Sequence, residues 1–368
     1  MTRTEIADRI GLDPAQVSRI ARRLIDDGLV RERRQEPGEV PVGPGGASRP
    51  LTVDPRGGQV LGIGIAPTVQ TVALADIGRT VMASADFQFE PIGDAEGLMQ
   101  RLAVEFRRLA GTRLGDRGRL LVGLVMITGE VDREAGTVLD APFLGWGSFP
   151  LGPRLAELLN MPILVRGLAP AIAEVEMMFG VARGRRDLLS MICGLGIATA
   201  VFVDGRPVGD SGYTSGAIGT MQIFDEEGRT RTLDGLAGGA GILRRLLGER
   251  TTPAPLSHID LDLHDAIERD RAGDPRVAAL MGTAGRELAR VMAAHAHFVR
   301  PELVLISGPL ATSPSYMAAI RMFLSEAMTP PIDVAVSRVA GAEGGWWASC
   351  SLAVHEYLVD RPIDLPGS

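Results

Sequence analysis

Residues 61–81 read LGIGIAPTVQTVALADIGRTV, and this stretch decides the fold. Its two apolar runs are joined through Thr68 and Gln70, and a turn follows at Asp76 to Gly78, so the pattern predicts a β-hairpin. A hairpin of this shape often holds nucleotide phosphates. The first strand nevertheless carries Gly64, where such a site needs an acid to support a metal ion. The stretch therefore indicates a nucleotide-binding type of fold and leaves the binding of a nucleotide open.

The chain beyond the hairpin continues to alternate apolar strands with amphipathic helices. Strands are predicted at residues 60–65, 71–76, 120–127, 163–165, 188–193, 198–203 and 303–307. Helices are predicted at residues 98–109, 150–159, 169–179 and 277–298. This alternation is typical of an α/β protein.

Composition and charge restrict the class of protein. The chain has 368 residues, 45% of them hydrophobic, which is enough for a small module and a bilobal body. The net charge is -7, so contact with nucleic acid has to come from a local basic face. The chain contains arginine but no lysine, which excludes a lysine base or Schiff base. Two cysteines outside any Cys-x-x-Cys pair and the lack of a long apolar run predict a cytoplasmic protein without membrane contact.

The first 55 residues predict a winged helix-turn-helix. TRTE at residues 2–5 has the pattern of a capping box, and Gly11 stops the helix that it opens. DPAQ at residues 13–16 opens a second helix, in which apolar residues recur at helical spacing. A strand from residue 29, a run rich in proline and glycine, and a return strand at residues 49–53 form the predicted wing.

Hydrogen-bond donors line the face of the second helix opposite its apolar stripe, and further arginines follow on the wing. Such donors can reach phosphates and base edges. The predicted DNA-binding residues are Gln16, Ser18, Arg19, Arg22, Arg23, Arg31, Arg33, Arg34 and Arg49. The alternative is that these side chains form only a solvated face. Capped helices, apolar spacing and a basic wing occur together here, and this combination favours DNA binding.

A winged helix-turn-helix normally has one more helix before these two, and Met1 lies directly at the second one. We therefore expect either that the true start codon lies upstream or that this chain has lost its first helix. Mass spectrometry of the native N-terminus distinguishes the two.

Several stretches resemble the ROK family of bacterial repressors and sugar kinases. They are residues 4–30 (TEIADRIGLDPAQVSRIARRLIDDGLV), 47–51 (ASRPL), 61–81, 131–151 (VDREAGTVLDAPFLGWGSFPL), 194–221 (GLGIATAVFVDGRPVGDSGYTSGAIGTM) and 302–311 (ELVLISGPLA). The resemblance covers essentially the whole chain. It implies an α/β fold with an N-terminal winged helix-turn-helix, its first helix missing, followed by a bilobal actin-like, ribonuclease H-like sugar-kinase fold.

The resemblance also implies a division of the chain. Residues 1–55 would form the DNA-binding domain. Residues 56–165 together with 345–368 would form the first α/β lobe, and residues 166–344 the second lobe, which would also dimerise.

Compared with kinases of this family, the chain has lost its catalytic groups. The Asp-x-Gly-Gly-Thr hairpin that binds phosphates and metal is GIAPT here and keeps only Thr68, and the second phosphate loop, GLGIA at residues 194–198, lacks its hydroxyl. The Glu-Asn-Asp tripeptide with the catalytic aspartate corresponds to Arg166-Gly167-Leu168, and a leucine cannot act as a general base. Thr220 stands in place of the zinc-binding histidine. The resemblance therefore predicts no catalytic residue, no metal and no cofactor.

Sugar recognition is reduced in the same way. The sugar-binding asparagine corresponds to Phe143, and Asp234 is the acid that remains. An interlobe cleft is still expected, with Phe143, Trp146 and Thr199 among its lining. Its candidate ligand-binding residues are Thr128, Arg166, Thr214, Ser215, Thr220 and Asp234. Arg166 would pair with an anionic or less hydroxylated ligand. The alternative is that Arg166 is solvent-exposed and the cleft has closed.

These observations predict a sequence-specific transcriptional regulator, a repressor in type, with a catalytically dead, zinc-free body. The expected partners are a palindromic double-stranded DNA operator, a second copy in a homodimer or higher assembly, and a possible small-molecule effector that is not a typical hexose. A protein-binding scaffold without DNA binding and an ATP-dependent sugar kinase are the alternatives.

Overall fold

The computed structural model describes residues 1–33, 49–113, 119–209, 218–225, 227–248, 256–339 and 342–359. No helix among these residues is long and apolar enough to cross a bilayer.

The N-terminal module is the predicted helix-turn-helix with a two-stranded wing. It comprises α1 (Arg3–Ile10), α2 (Pro14–Asp26), β1 (Val30–Glu32) and β2 (Leu51–Val53). The capping box at Thr2 is confirmed, because its hydroxyl accepts the Glu5 N–H and the Glu5 carboxylate accepts the Thr2 N–H at 2.8 Å. Gly11 ends α1 at φ 68°, a left-handed conformation that favours glycine.

The first lobe is built on one five-stranded sheet with the order β5-β4-β3-β6-β9. Its strands and those of a small separate hairpin are β3 (Gln59–Ile65), β4 (Gln70–Asp76), β5 (Val81–Phe87), β6 (Leu120–Ile127), β7 (Glu130–Asp132), β8 (Thr137–Asp140) and β9 (Ile163–Gly167). The helices are α3 (Ala95–Arg113) and α4 (Leu151–Leu159). The predicted hairpin is confirmed as β3 and β4, which pair antiparallel, while β6 and β9 continue the sheet in parallel.

The second lobe repeats this plan. Its sheet has the order β12-β11-β10-β15-β16, with antiparallel pairs on one side of β10 and parallel pairs on the other. The strands are β10 (Leu188–Cys193), β11 (Ile197–Val203), β12 (Arg206–Pro207), β13 (Gln222–Phe224), β14 (Thr230–Thr232), β15 (Leu303–Ser307) and β16 (Asp333–Val336). The helices are α6 (Leu233–Ala237), α7 (Gly239–Leu247), α8 (Leu256–Arg271), α9 (Pro275–Val299) and α10 (Pro314–Ala327). Two sheets of the same topology confirm the bilobal sugar-kinase type of fold.

Two helices, α5 (Leu168–Phe179) and α11 (Ala342–Val359), complete the body. Helix α5 contacts both lobes, since Ala171 and Val175 pack with the first sheet and Ala169 and Ala173 pack with β10, β11 and β15. Helix α11 lies on the first sheet. A Cβ on Gly62 would come within 2.3 Å of the Ser349 hydroxyl, so the absence of a side chain on β3 permits the close approach of α11.

The winged helix contacts the body through a small apolar cluster. Leu29, at the end of the helix-turn-helix, is buried against Ile77 and Leu121 of the first lobe. Leu24 of α2 and Tyr357 of α11 pack at the edge of this cluster. Helix α11 and the N-terminal module therefore pack on the same cluster.

Candidate DNA interface and interlobe cleft

Helix α2 presents its donors to solvent. The Asp13 carboxylate accepts the N–H groups of Ala15 and Gln16 at 2.8 and 3.3 Å, which fixes the start of the helix. Val17 and Ala21 are buried beneath the helix. The predicted DNA-binding residues lie on the other side, with Ser18, Arg19, Arg22 and Arg23 exposed and Gln16 half-buried. The positions suit DNA contact, which itself stays a prediction.

Part of the positive charge predicted for the wing is neutralised by an acidic residue. Arg31 and Arg33 are exposed on or beside β1. Between them, the Glu32 carboxylate accepts a hydrogen bond from Arg3 at 2.8 Å and lies 3.6 Å from the Arg49 guanidinium. The hydrogen bond from Arg3 lowers the pKa of Glu32, so this carboxylate stays charged and offsets part of the positive charge. The predicted residue Arg34 lies outside the described residues.

The hairpin does not fit a phosphate-bound metal. Gly64 on β3 pairs directly with Thr71 on β4. A Cβ on Gly64 would lie 2.5 Å from the Thr71 hydroxyl, so a carboxylate there would require Thr71 to move. At the turn, the buried side chain of Gln70 donates to the Ala66 carbonyl at 2.9 Å. The hairpin is thus closed by its own hydrogen bonds.

The second glycine loop is also internally bonded. Gly194 N–H donates to the Gly196 carbonyl at 3.0 Å, which makes a tight turn. The first N–H groups of α7, from Gly239 and Ala240, donate to the carbonyls of Gly194 and Leu195 at 2.8 and 3.0 Å. Free N–H groups at a helix start are the ones that usually bind phosphate. Here the loop carbonyls already take two of them.

The position of the catalytic base is apolar. Leu168 is the first residue of α5 and packs, half-buried, on the cluster that the first sheet forms with α11. An alkyl side chain can neither accept nor donate a proton. The tripeptide 166–168 therefore supplies no base for a sugar hydroxyl.

One of the two predictions for Arg166, that its side chain is solvent-exposed, is wrong. The residue is 6% exposed, and its Nε and Nη2 donate to the two oxygens of Glu356 at 3.1 and 2.7 Å. Nη1 donates to the Val165 carbonyl at 2.9 Å, and Arg133 reaches the same carboxylate at 3.1 Å. Burial works to raise the pKa of Glu356, but the two guanidinium groups hold it below its usual range. Arg166 therefore ties β9 to α11, and its pairing with an anionic ligand, which would have to compete with Glu356, stays a prediction.

Two further residues expected in the cleft belong to the lobe cores. Trp146 is 4% exposed in the first-lobe core, and its indole N–H donates to the Ile92 carbonyl at 2.7 Å. Thr199 is buried on β11 and donates to the Ser190 carbonyl at 2.9 Å. The burial of Thr199 was not visible in the sequence, because the alternation of strand residues does not show which face a cleft adjoins.

The remaining cleft residues cluster in part. Asp234 lies in the first turn of α6, and its Oδ1 accepts the Ile197 N–H at 2.6 Å. The 3-10 turn that ends at the exposed Thr220 packs on α6. Burial raises the pKa of Asp234, although the bond from Ile197 opposes the shift. Thr128 follows β6 in the first lobe and is half-buried. Thr214 and Ser215 lie outside the described residues.

Phe143, predicted as the residue in place of the asparagine and as part of the cleft lining, makes a contact that the sequence did not indicate. Its ring, from the first lobe, packs against the hydrophobic core of the second lobe. A Cβ on Gly196 would lie 2.3 Å from Cε2 of this ring and 3.2 Å from Oδ1 of Asp234. The ring and the surviving acid therefore flank the same backbone position.

Two family profiles and several known proteins are similar to most of the chain. The ROK family profile matches residues 62–348, and a winged helix-turn-helix DNA-binding profile matches residues 1–31. The transcriptional regulator Mb0495 of Mycobacterium bovis is 26% identical over 346 residues, 91% of this chain and 77% of the relative. The bifunctional enzyme NanE/NanK of Brucella melitensis biotype 1 is 28% identical over 233 residues, 62% of this chain, and the match spans only 42% of the enzyme's length. A ROK family transcriptional regulator, a homolog of the E. coli MLC protein, shares the fold with a TM-score of 0.77 at 20% identity, over 98% of this chain and 93% of that chain.

Proposed function

The chain belongs to the ROK family, and we propose that it is a sequence-specific DNA-binding transcriptional regulator of the repressor type. The observation that carries the proposal is the exposed row of Arg19, Arg22 and Arg23 on a capped helix of a winged helix-turn-helix. Guanidinium groups on such a helix can bond guanine edges and phosphates in the major groove. The similarity to a named transcriptional regulator over 91% of the chain supports it.

The proposed partner is a palindromic double-stranded operator bound by a homodimer. A two-fold dimer presents two copies of α2 to half-sites about one helical turn of DNA apart. We assign residues 1–55 to DNA binding, residues 56–165 and 345–368 to the first lobe, and residues 166–344 to the second lobe and dimerisation. We accordingly propose that the protein acts in the cytoplasm.

We propose that the body is catalytically inactive. Leu168 offers no base, Gly64 no metal-supporting carboxylate, and the second loop bonds its own carbonyls to α7. Any effector of this body is not an ordinary hexose, because the position of the sugar-binding asparagine holds Phe143 and Arg166 is already paired with Glu356.

The proposal is tested by the change Arg19→Ala. Fluorescence anisotropy on labelled DNA from the chain's own promoter region should show binding by the wild type and roughly 10- to 100-fold weaker binding by the variant, because one major-groove guanidinium carries that much discrimination. Circular dichroism checks that the variant stays folded.

The matched control is Arg321→Ala, an exposed arginine on α10 of the second lobe. It removes the same charge from the body and should change the affinity by less than about twofold, since a charge away from the DNA acts only at long range through screened electrostatics. Equal effects of the two substitutions, or an Arg19 variant with wild-type affinity, would count against α2 as the recognition helix.

A further inference from the structure

Phe143 belongs to the first lobe, but its ring packs outside the core of that lobe. The 3-10 turn Pro142–Leu144 is closed by a hydrogen bond from the Leu144 N–H to the Ala141 carbonyl at 2.9 Å. Leu144 and Trp146 are buried in the first-lobe core. Phe143 stands between them and packs, half-buried, on the core cluster of the second lobe. The turn thus directs one side chain across the cleft.

In the second lobe, the ring packs next to Gly196, which has no side chain. A Cβ on Gly196 would lie 2.3 Å from Cε2 and 2.6 Å from Cζ of Phe143, so any side chain there would collide with the ring. The φ of Gly196 lies outside the left-handed region. Glycine is therefore not needed here for backbone conformation but for the space that the ring occupies.

The acid of the cleft, Asp234, lies near the same position of Gly196. Oδ1 of Asp234 accepts the Ile197 N–H at 2.6 Å. Behind it, a Cβ on Gly219 would lie 2.0 Å from the same oxygen, so this glycine is what makes room for the carboxylate. An acid held by a backbone donor, with an apolar ring beside it, has little room for a hydroxylated ligand.

We propose that Phe143 is an internal latch. Its ring takes the space in the cleft that a small ligand would need, and by burying apolar surface on the second lobe it holds the two lobes together without a ligand. The two lobes then stay together through a contact within the protein, without a bound ligand. The consequence for regulation, that operator binding depends on the lobe arrangement held by this ring and not on a ligand in the cleft, rests on the proposed function; the latch itself does not.

A double-mutant cycle tests the contact. Phe143→Ala should lower the Tm by roughly 5 °C through lost burial. Gly196→Ala should lower it by a similar amount, because the new methyl group overpacks the ring. In the double variant the methyl group meets no ring, so its Tm should lie within about 2 °C of Phe143→Ala alone. Additive losses would overturn the latch. Should Gly196→Ala alone fail to fold, recovery of folded protein in the double variant supports the contact and its absence refutes it.

Hydrogen exchange separates a latch from general stabilisation. Amides of residues 194–198 should exchange faster in Phe143→Ala, because the loop loses the ring that covers it. The control is Phe179→Ala, which deletes a partly exposed ring that packs on Trp347. It should leave exchange in 194–198 unchanged. Equal exchange in this loop for wild type and Phe143→Ala would contradict the proposal.

Operator binding completes the test. Phe143→Ala should change promoter affinity, measured by anisotropy, at least threefold, whereas 10 mM glucose should leave wild-type affinity unchanged. A wild type that does not bind DNA would defeat the proposed function and still leave the stability cycle to judge the latch. A coupled stability cycle with unchanged promoter affinity would refute the regulatory consequence.

Discussion

The winged helix and the cleft treat their polar groups in opposite ways. On α2 the guanidinium groups of Arg19, Arg22 and Arg23 are exposed to solvent on a helix whose cap and core are complete. In the body, the Arg166 guanidinium is bonded to Glu356, and the N–H groups at the start of α7 are bonded to loop carbonyls. Polar groups that stay in water are available to a partner, while those bonded internally stabilise the fold. Of the groups compared, those on α2 are therefore open to a partner, which agrees with the proposed DNA binding.

The largest effect should come from breaking the buried pair in the body. Glu356→Gln leaves the Arg166 guanidinium buried without a charged partner, which we expect to cost about 3 kcal/mol of unfolding free energy in urea titrations. The pKa of Glu356 is lowered, so its contribution is present at neutral pH and is lost as the pH falls through that pKa. The difference between variant and wild type should shrink in acid.

The control for this change is Glu96→Gln. Its partner, Arg154, is a surface residue, and exposed ion pairs contribute little. Unfolding curves of this variant should overlie those of the wild type. If the unfolding curve of the Glu356 variant also overlies that of the wild type, Arg166 must have another partner. The Arg166–Glu356 pair would then not stabilise the body as proposed.

A smaller loss is expected at the cap of the recognition helix. Asp13→Ala removes the acceptor of the Ala15 and Gln16 N–H groups, which should cost about 1 kcal/mol. Amide exchange in residues 15–18 should rise, and exchange in the body should not. Asp8→Ala, an exposed change within α1, serves as the control and should be neutral or slightly stabilising, since alanine favours helices. Faster exchange throughout the body would show that the two regions do not unfold independently.

The smallest effect should appear at Asp234. Because burial raises the pKa of this carboxyl, the folded state loses stability as the pH rises through the ordinary carboxyl range towards that pKa. Asp234→Asn does not titrate and still accepts the Ile197 N–H. We expect a slightly higher Tm than the wild type at pH 7 and no difference at pH 3. The reverse pattern would place a cation, rather than an apolar ring, beside the carboxylate.

Local signals in the sequence predicted most of the fold. The caps at Thr2 and Asp13 depend on residues two or three positions away, and the hairpin depends on adjacent runs, so each is legible in a short window. The cleft depends on distant pairs. Arg166 and Glu356 are 190 residues apart in sequence, and a charged residue at a strand end gives no sign of a partner on the last helix.

Phe143 shows the same limit. The resemblance to kinases indicated which side chain had been lost there, and nothing in the neighbouring residues indicated that the new ring would cross to the second lobe. The relation between Phe143 and Gly196 can be recognised only in the folded structure, where the ring occupies the space that a Cβ on Gly196 would need.

The most direct measurement is a competition titration of the wild-type chain on labelled DNA from its own promoter region, across 50 to 200 mM salt. We expect unlabelled promoter DNA to compete at concentrations roughly a thousandfold lower than scrambled DNA. The logarithm of the binding constant should fall linearly with the logarithm of the salt concentration. Equal competition by both DNAs, or no binding at any salt concentration, would contradict the assignment of this protein as a sequence-specific regulator.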